Sequence, residues 1–500
     1  MSRKEKERLY GRLLLRAKAR RSIDPLIAVR GHQNDPLWLI ERIIGPEQWV
    51  DPCWDAWRSF LKAFFALPMN DQEIDIYQQC TGRLDIPARK FKDATLIVGR
   101  RGGKSRVTAA LAVYFATSID WRPYLAPGEI GYIPVIAPDR KQAKAIMGYC
   151  TAPFLNDPLL TPFLAKPPTT EQIELVDNVI IEVMTCSYRT IRSRTVLMGL
   201  ADELGFWPAE DSATPDTEVM AALTPCMATI PGAGMLKASS PYARRGVLWD
   251  DYQEYYGKAE APTLVWQADT RTMNPMIAQE FIDEELAKDY EKNSAEYLAQ
   301  FRRDIAAFVT KEAVDAVVQP GRIELLPERG VQYTAFCDPS GGSADSMTLA
   351  IGHTAGNGQG VLDMVREVVP PFNPKSVVAE FSQDLRRFGL ASLEGDAYAG
   401  EWPRAEFREH GIGYEVAELH KSQIYTEFLP LLNSGQVEFL DSKRLIAQTL
   451  SLERRTARGG RDSIDHPPGS HDDVINAAAG LLIKVSRGGS ELEQLRRIVG

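Results

Sequence analysis

The sequence predicts an α/β protein made of two folded parts, each built on a sheet that carries helices on its faces. The first observation is a short apolar run, Ala94 to Val98, followed by a Gly-rich turn and a helix-forming stretch. Strand-like and helix-like segments continue to alternate after it, which is typical of a mixed or parallel sheet. The third observation is a set of three strand-like segments between residues 331 and 369, after which helices and strands alternate again.

Composition describes an ordinary folded chain and excludes several classes. The 500 residues are 44% hydrophobic and 25% charged, with a net charge of −9. Such a chain can bury several cores, and it can bind nucleic acid only through local basic patches. Its six cysteines are scattered, which indicates reduced thiols of a cytosolic protein and neither a zinc site nor a disulfide frame. No apolar run reaches about 18 residues, so we expect neither a membrane span nor export.

The segment GRRGGKS has the composition of a phosphate-binding loop, which predicts a P-loop nucleoside triphosphatase domain. Its glycines free backbone N–H groups to surround an anion, and the following helix points its N-terminus at the same place. Lys104 would bind the β- and γ-phosphates of ATP, and Ser105 would ligate Mg²⁺. The usual pattern has its first glycine at the position of Val98, whereas this chain has it one residue later. The ATP-binding residues predicted here are Gly99, Arg100, Arg101, Gly102, Gly103, Lys104 and Ser105.

Two acids and two hydroxyls follow later strand-like segments of the same half. The run TVLMGLADE ends in Asp202, expected to hold Mg²⁺, and in Glu203, expected to polarise the attacking water. Ser239 and Ser240 end the next such run and would couple hydrolysis to movement. The alternative for these serines is a simple strand cap.

Two further roles are open to more than one residue. An arginine that stabilises transition-state charge could come from Arg100 and Arg101 or from Arg192 and Arg194. Arg100 is our catalytic candidate, although a neighbouring subunit could supply the group instead. A glutamine in IYQQCTGR could read the adenine edge, and Gln79 is preferred over Gln78 for this role.

The order of segments in the second half, three strands followed by helix–strand alternation, is that of a ribonuclease-H-like α/β nuclease domain. This fold has carboxylates after its first strand, after its fourth strand and on its last helix. Asp338, Asp396 and Asp473 occupy these positions, with Asp472 and Glu394 as rivals for the last two. Three convergent carboxylates can hold two divalent ions, here Mg²⁺ or Mn²⁺, for phosphodiester hydrolysis.

Other polar residues of this half could assist. Asp345 and His471 are auxiliary candidates near the acidic positions. A loop before the last helix would track DNA phosphates or be a solvated loop, and its arginines are Arg454, Arg455, Arg458 and Arg461.

We expect five segments: a basic N-terminal arm with helices, the P-loop ATPase domain, a helical connector, the nuclease domain and a C-terminal tail. Residues 1–21 carry nine Lys or Arg against two Glu, so the arm is either a solvated helix or a surface for DNA or a partner. The expected bounds of the five segments are 1–50, 51–265, 266–325, 326–487 and 488–500.

Taken together, these motifs resemble the large terminase subunit of tailed bacteriophages over residues 50 to 485. The matching features are GRRGGKS, the strand ending in Asp202 and Glu203, the SSP at 239–241, the DPSGG at 338–342, the GD at 395–396 and the HDD at 471–473. The late first glycine also looks like the variant P-loop of that family. Two features depart from the family pattern: many relatives carry Glu where this chain has Asp396, and the trans-acting arginine of the family has no motif that transfers.

The resemblance implies an ATP-driven translocase of double-stranded DNA that is joined to a metal-dependent endonuclease. It implies packaging of concatemeric viral DNA into a procapsid, with the portal protein, a small terminase subunit and a homo-oligomeric ring, usually pentameric, as partners. The expected location is the bacterial host cytoplasm and, transiently, the portal vertex. The main alternative is a helicase-like or repair ATPase fused to a nuclease, and a further one is a nucleic-acid-binding scaffold with a degenerate half.

Overall fold

The fold is described from a computed structural model, which covers residues 25–32, 34–185, 191–207, 215–396, 402–456, 462–467 and 470–499. The chain divides into two compact units. The first unit comprises Met1–Trp207 and Thr214–Arg303, and the second comprises Pro208–Ala213 and Asp304–Gly500. Among all the described residues, no helix combines the length and the apolar character that crossing a bilayer requires.

The first unit contains an eight-stranded sheet in which the strand order is β3-β4-β2-β6-β7-β1-β8, with β5 paired to β2. All neighbours are parallel except β3 and β4, which form a hairpin. The run IELVDNVIIEVMT, with Asp177 and Asn178 at its turn, predicts this hairpin. The strands are β1 (Asp93–Val98), β2 (Gly131–Ala137), β3 (Gln172–Glu174), β4 (Val179–Thr185), β5 (Thr195–Val196), β6 (Met198–Asp202), β7 (Gly234–Ser239) and β8 (Thr263–Ala268).

Helices cover this sheet, and its central strands β6 and β7 are buried along their whole length. The helices of the first unit are α1 (Pro25–Gly31), α2 (Pro36–Ile44), α3 (Pro46–Trp49), α4 (Asp55–Phe65), α5 (Asp71–Thr81), α6 (Lys104–Ser118), α7 (Arg140–Asn156), α8 (Pro215–Met227), α9 (Val247–Tyr255), α10 (Thr270–Met273), α11 (Gln279–Lys288) and α12 (Tyr290–Leu298). Short 3₁₀ turns occupy Pro52–Trp54, Arg122–Tyr124, Thr161–Phe163 and Leu204–Phe206.

Residues 36–68 are rich in Trp and Phe, which predicts helices packed against the core, and this aromatic segment does pack there. Trp57, Phe60 and Phe64 of α4 are fully buried in one cluster that also contains residues of β1 and α6. The Phe60 ring meets Trp266 of β8 edge to face at 5.6 Å between ring centroids. The described helices before residue 50 are therefore part of the first unit, while the basic arm 1–21 lies outside the described residues.

The second unit contains a six-stranded sheet with the order β14-β13-β10-β11-β12-β15 and a three-stranded sheet with the order β17-β16-β9. Strands β10, β11 and β12 are consecutive and antiparallel, whereas β13 is parallel to β10, which is the predicted order. The strands are β9 (Ile305–Ala307), β10 (Tyr333–Asp338), β11 (Met347–Thr354), β12 (Gly360–Val368), β13 (Ser392–Gly395), β14 (Gly413–Val416), β15 (Val437–Glu438), β16 (Glu453–Thr456) and β17 (Asp462–Asp465).

The last helix is the centre of this unit. Its buried residues Val474, Ile475, Ala478 and Leu481 pack across β10, β11 and β12. The helices are α13 (Lys311–Val317), α14 (Pro374–Arg387), α15 (Trp402–Glu409), α16 (Lys421–Asn433), α17 (Lys443–Ser451) and α18 (Asp473–Val499).

The structure differs from the sequence prediction at three boundaries. The expected connector 266–325 is split, because α10 to α12 belong to the first unit and β9 and α13 belong to the second. The sequence pattern predicts a helix over 442–455, but the helix ends at Ser451, and the following strand β16 pairs with β9 and β17. The expected tail 488–500 continues α18 as far as Val499.

Candidate active sites

The Gly-rich loop connects the end of β1, which lies between β7 and the edge strand β8, to the start of α6. Its first glycine is required by close packing, because a Cβ at Gly99 would lie 2.5 Å from Thr270 Oγ1 and 2.8 Å from Tyr297 O. At the other end Gly103 has φ +93°, and a Cβ there would lie 3.0 Å from the indole nitrogen of Trp57. Close packing by Thr270 and Tyr297 therefore explains why this chain has its first loop glycine at position 99.

Neighbouring elements fix the backbone of this loop. The Arg100 amide donates to Glu296 O, and Thr270 Oγ1 donates to Arg100 O at 2.8 Å. The Asn274 side-chain amide donates to Arg101 O at 3.1 Å, and Trp57 Nε1 donates to Gly102 O at 2.8 Å. Because these contacts engage three loop carbonyl groups and the Arg100 amide, the loop keeps its shape without a ligand.

Lys104 is the first residue of α6, and its side chain is buried beside the acids of β6. Its Nζ donates to Val98 O at 2.9 Å and to Ser240 Oγ at 3.0 Å, and it lies 3.7 Å from Glu203 Oε1. The structure thus brings the predicted phosphate-binding cation, one predicted coupling serine and the predicted base into one place.

Asp202 ends β6 and is almost fully buried. Burial first, and then the negative charge of Glu203, raise its pKa to about 7, while Lys104 acts in the opposite direction. Within the described residues its Oδ1 accepts no hydrogen bond although it is buried. A buried carboxylate oxygen without a donor is a suitable ligand for a divalent cation, so the residues present fit the predicted Mg²⁺.

Glu203 has an unusual backbone conformation for a residue with a side chain. Its φ is +49°, in the left-handed region, at the point where the chain leaves β6. Ser239 Oγ lies 3.5 Å from Glu203 Oε2 and accepts the Gly205 amide at 3.1 Å. Strained residues of this kind concentrate at functional sites, and here the strain turns the carboxylate toward Lys104.

A cleft of about 530 Å³ lies along the loop and collects most of the predicted residues. Those that line it are Arg100, Arg101, Gly102, Gly103, Lys104, Ser105 and Glu203. Sequence reasoning missed the apolar side of the cleft, formed by Trp54, Trp57, Tyr149, Met273 and Ile277. An aromatic-rich stretch was the available signal, but it could not distinguish core packing from cleft lining.

Four of the remaining predicted residues lie elsewhere. Gln79 is exposed on α5 and does not line the cleft, and Gln78 donates to Leu84 O. Arg192 and Arg194 line a separate cleft, where Arg194 pairs with Glu182. Arg100 does line the P-loop cleft, and its side chain is largely exposed.

The second candidate site lies at one edge of the six-stranded sheet. Asp338 ends β10, and Asp396 directly follows β13, the parallel neighbour of β10. The carboxyl ends of parallel strands share an edge, so these two acids meet there. The start of α18 adds Asp473, and a cleft of about 360 Å³ is lined by Asp338, Asp345, Asp396, His471, Asp472 and Asp473.

Asn476, which the sequence analysis did not single out, joins two of these acids. Its side-chain amide donates to Asp338 Oδ2 at 2.9 Å and to Asp396 Oδ2 at 3.2 Å. It lies one helical turn after Asp473, a spacing that could have identified it once α18 was known to carry acids. A neutral amide therefore bridges carboxylates that have to repel one another.

The carboxylates of this cleft are electrostatically strained. Burial, followed by the charges of Asp473, Asp396 and Asp472, raises the pKa of Asp338 well above its usual value, against the hydrogen bond from Asn476. Burial and then Asp472 raise the pKa of Asp473 to about 6. Divalent cations would remove this repulsion, and the oxygen ligands match Mg²⁺ or Mn²⁺.

Solved structures of phage large terminases are similar to this chain. The HK97 bacteriophage large terminase is 15% identical with a TM-score of 0.37, over 86% of this chain and 99% of that chain. The large terminase from a thermophilic bacteriophage is 12% identical with a TM-score of 0.36, over 86% and 98% of the two chains. The large terminase nuclease from thermophilic phage G20c is 17% identical with a TM-score of 0.29, over 34% and 95%.

No family model matches the sequence, and no curated protein does. At these identities and TM-scores, the activities of this chain have to be inferred from its own residues.

Contacts separate the rival acids of the second cleft. Glu394 pairs with Lys484, eleven residues along α18 from Asp473 or about 16 Å at the usual helical rise. Asp472 accepts from Tyr425 Oη at 2.8 Å and lies 3.1 Å from Lys421 Nζ. The Asp473 carboxylate accepts the Ser346 amide at 3.2 Å on Oδ2. Asp472 is thus engaged by a lysine and a tyrosine, whereas Glu394 points to another part of the helix.

The predicted basic loop is a β-hairpin, as far as it is described. Arg454 of β16 pairs with Asp462 of β17, and Arg455 donates to His466 O at 2.8 Å. Arg458 and Arg461 lie outside the described residues. The auxiliary candidates do reach the cleft, where His471 Nδ1 is 3.5 Å from Asp345 Oδ1.

Proposed function

We propose that this chain is an ATP-driven translocase of double-stranded DNA that also cuts DNA with a metal-dependent endonuclease, as a large terminase subunit does. The observation that carries the proposal is the presence of two complete sets of groups, one in each compact unit. One set combines a Gly-rich loop, a lysine and two acids, and the other combines three convergent aspartates. A nucleotide phosphate fits the first set and a divalent cation pair fits the second.

In the first unit, the loop amides and Lys104 would bind the phosphates of ATP, with Arg100 at the mouth of the cleft. Asp202 and Ser105 would hold Mg²⁺, which neutralises phosphate charge when bound. Glu203 would orient and deprotonate the attacking water, because its carboxylate faces Lys104 at 3.7 Å. Ser239, 3.5 Å from that carboxylate, and Ser240, bonded to Lys104, would sense the loss of phosphate.

In the second unit, Asp338, Asp396 and Asp473 would hold two divalent ions. Bound ions of this kind generate a hydroxide nucleophile and stabilise the leaving oxygen. Asn476 keeps two of the three ligands in register, because one amide bonds both Asp338 and Asp396. The hairpin of β16 and β17 brings Arg454 and Arg455 into the same unit, where they would contact the DNA backbone.

The proposal includes the biological setting of such an enzyme. The chain would act on concatemeric viral DNA in the bacterial host cytoplasm, as a homo-oligomeric ring at the portal protein of a procapsid. A small terminase subunit would select the start site.

Crossed variants of the full-length chain test whether it carries two separate activities. Lys104→Ala should lose nucleotide binding and DNA-stimulated ATP hydrolysis but still nick plasmid DNA with Mn²⁺. Asp338→Ala should show the reverse, with cutting lowered about 10³-fold, since a few kcal/mol of transition-state stabilisation is lost. Matched controls are Lys166→Ala and Asp315→Ala, which change exposed ion-paired residues.

Each result bears on the assignment. Unchanged nucleotide affinity in Lys104→Ala would show that the loop does not bind phosphate. Loss of both activities in either variant, with an unchanged melting temperature, would contradict separate sites.

A further inference from the structure

One cation stands among the acids of the second cleft. Lys421 is the first residue of α16, and its Nζ lies 2.6 Å from Asp465 Oδ1 and 3.1 Å from Asp472 Oδ2. It lines the same cleft as Asp338 and Asp473. Among the described residues of that lining, Lys421 is the lone Lys or Arg, against five aspartates.

The surroundings of Lys421 hold its side chain in a fixed position. Tyr425 lies one turn further along α16, is fully buried and donates to Asp472 Oδ2 at 2.8 Å. Lys421 and Tyr425 therefore approach Asp472 together from one face of the helix. Two carboxylates orient the ammonium group, and the side chain remains one-third exposed at 33%.

The number of hydrogen bonds leaves Lys421 able to bind a ligand. An ammonium group has three N–H donors. Asp465 and Asp472 accept two of them in the structure. DNA in this cleft brings phosphates that the divalent ions neutralise only near the scissile bond, so a cation held at the rim has a phosphate to bind.

We propose that Lys421 binds a phosphate oxygen of the DNA strand in the nuclease cleft, and that Asp472 and Asp465 position its ammonium group instead of ligating a catalytic ion. The proposal rests on the proposed nuclease function. It also assigns Asp472 and Asp473 different tasks: Asp473 ligates an ion and Asp472 anchors the lysine.

The same acids suggest a competing assignment. Asp465, His466 and Asp472 offer ligand atoms within 4.8 Å of one another, which would suit a metal ion. Lys421 Nζ contacts both carboxylates, however, and its positive charge opposes a cation there. Removal of the lysine would open that cluster to metal, so the experiment below also follows metal binding.

The test measures how DNA affinity depends on salt, using a short duplex and full-length protein in Ca²⁺, in which binding is followed without cutting. Lys421→Met should weaken binding about tenfold, the value of one charge-assisted hydrogen bond. It should also lower the slope of log affinity against log salt by about 0.9, as expected for one lost phosphate contact. Lys421→Arg should retain the slope, because a guanidinium group also binds phosphate.

Two further variants separate this role from a structural one. Lys484→Met removes a lysine on α18 that pairs with Glu394, and it should leave slope and affinity at the parental values. Tyr425→Phe removes one donor to Asp472 and keeps Lys421, so its salt slope should also equal that of the parent. All variants are compared by melting temperature, and Mn²⁺ binding is titrated by calorimetry.

The outcomes are distinct. A parental slope in Lys421→Met would overturn the phosphate contact, whatever happens to cutting. If the parent binds one Mn²⁺ per chain at the Asp465 cluster, and Asp465→Asn abolishes that binding, the anchoring role would be overturned. Failure of the parent to cut with Mn²⁺ would refute the nuclease function itself, whereas the binding measurements do not depend on cutting.

Discussion

The two candidate sites both bury carboxylates but balance their charge in opposite ways. In the first unit, Lys104 lies 3.7 Å from Glu203 and counteracts the rise in the pKa of Asp202. In the second unit, three other aspartates add to the rise in the pKa of Asp338, and the group that opposes it is the neutral amide of Asn476. In the first site a fixed ammonium therefore offsets part of the negative charge, whereas Asp338 in the second site depends on bound cations for this.

This difference predicts different responses to substitution. In the first site, removal of the Glu203 carboxylate should lower turnover, while Lys104 continues to offset the charge of Asp202. A change in the second site should alter both cutting and stability, because each carboxylate removed relieves repulsion in the metal-free protein. The following experiments, ordered by expected effect, would break or sharpen this contrast.

The largest effect is expected for Glu203→Gln. Loss of the general base should lower ATP turnover at least ~10²-fold while nucleotide binding persists. Steady-state hydrolysis and equilibrium binding of a fluorescent nucleotide measure the two quantities. The exposed Glu280→Gln is the control. Normal hydrolysis in Glu203→Gln would show that this residue is not the general base, and the contrast between the two sites would then be wrong for the first site.

Asp473→Asn should raise the melting temperature of the metal-free protein and lower its metal-dependent cutting. With a folded-state pKa of about 6 against 3.8 for the free group, the ionised carboxylate costs the metal-free protein on the order of 3 kcal/mol. The variant should melt roughly 5–10 °C higher than the parent in EDTA and should nearly stop cutting in Mn²⁺. Full cutting at low Mn²⁺ would exclude Asp473 as an essential ligand.

The pH dependence of that difference follows from the direction of the shift. Below about pH 4, Asp473 is protonated in both the folded and unfolded chains, so it costs nothing. Between about pH 4 and 6 the unfolded chain loses this proton while the folded chain keeps it, so the cost grows; above about pH 6 both chains carry the charge. The gap in melting temperature between Asp473→Asn and the parent should widen over this interval and then stay constant. A gap that narrowed with rising pH would show that Asp473 is stabilised as an anion.

The smallest effects are expected at two positions that the structure moves away from the clefts. Glu394→Gln should change plasmid cutting less than about twofold, because Glu394 pairs with Lys484 on a distant turn of α18. Gln79→Ala should change the KM for ATP by no more than about twofold, because its exposed side chain does not line the cleft. Substrate titrations measure both, and a tenfold change in either would restore the corresponding residue to its site.

Local signals explain which parts were predictable from the sequence. The Gly-rich loop and the acids at strand ends depend on short segments, so their places in the α/β folds were predicted. Trp57, Asn476 and Lys421 reach the clefts through tertiary packing, and no motif in the sequence marks them. The strand β16 was missed for a similar reason, because one of its partners, β9 at Ile305–Ala307, lies far earlier in the chain.

The tight packing around Gly99 has a consequence for how proteins of this kind are found. Val98 is a fully buried strand residue, and its carbonyl accepts from Lys104. A pattern search that insists on glycine at that position passes over this chain. A search that asks instead for a glycine where the chain leaves the strand, and another where the helix begins, retrieves it, because those are the places where neighbouring atoms leave no room for a side chain or the backbone turns left-handed.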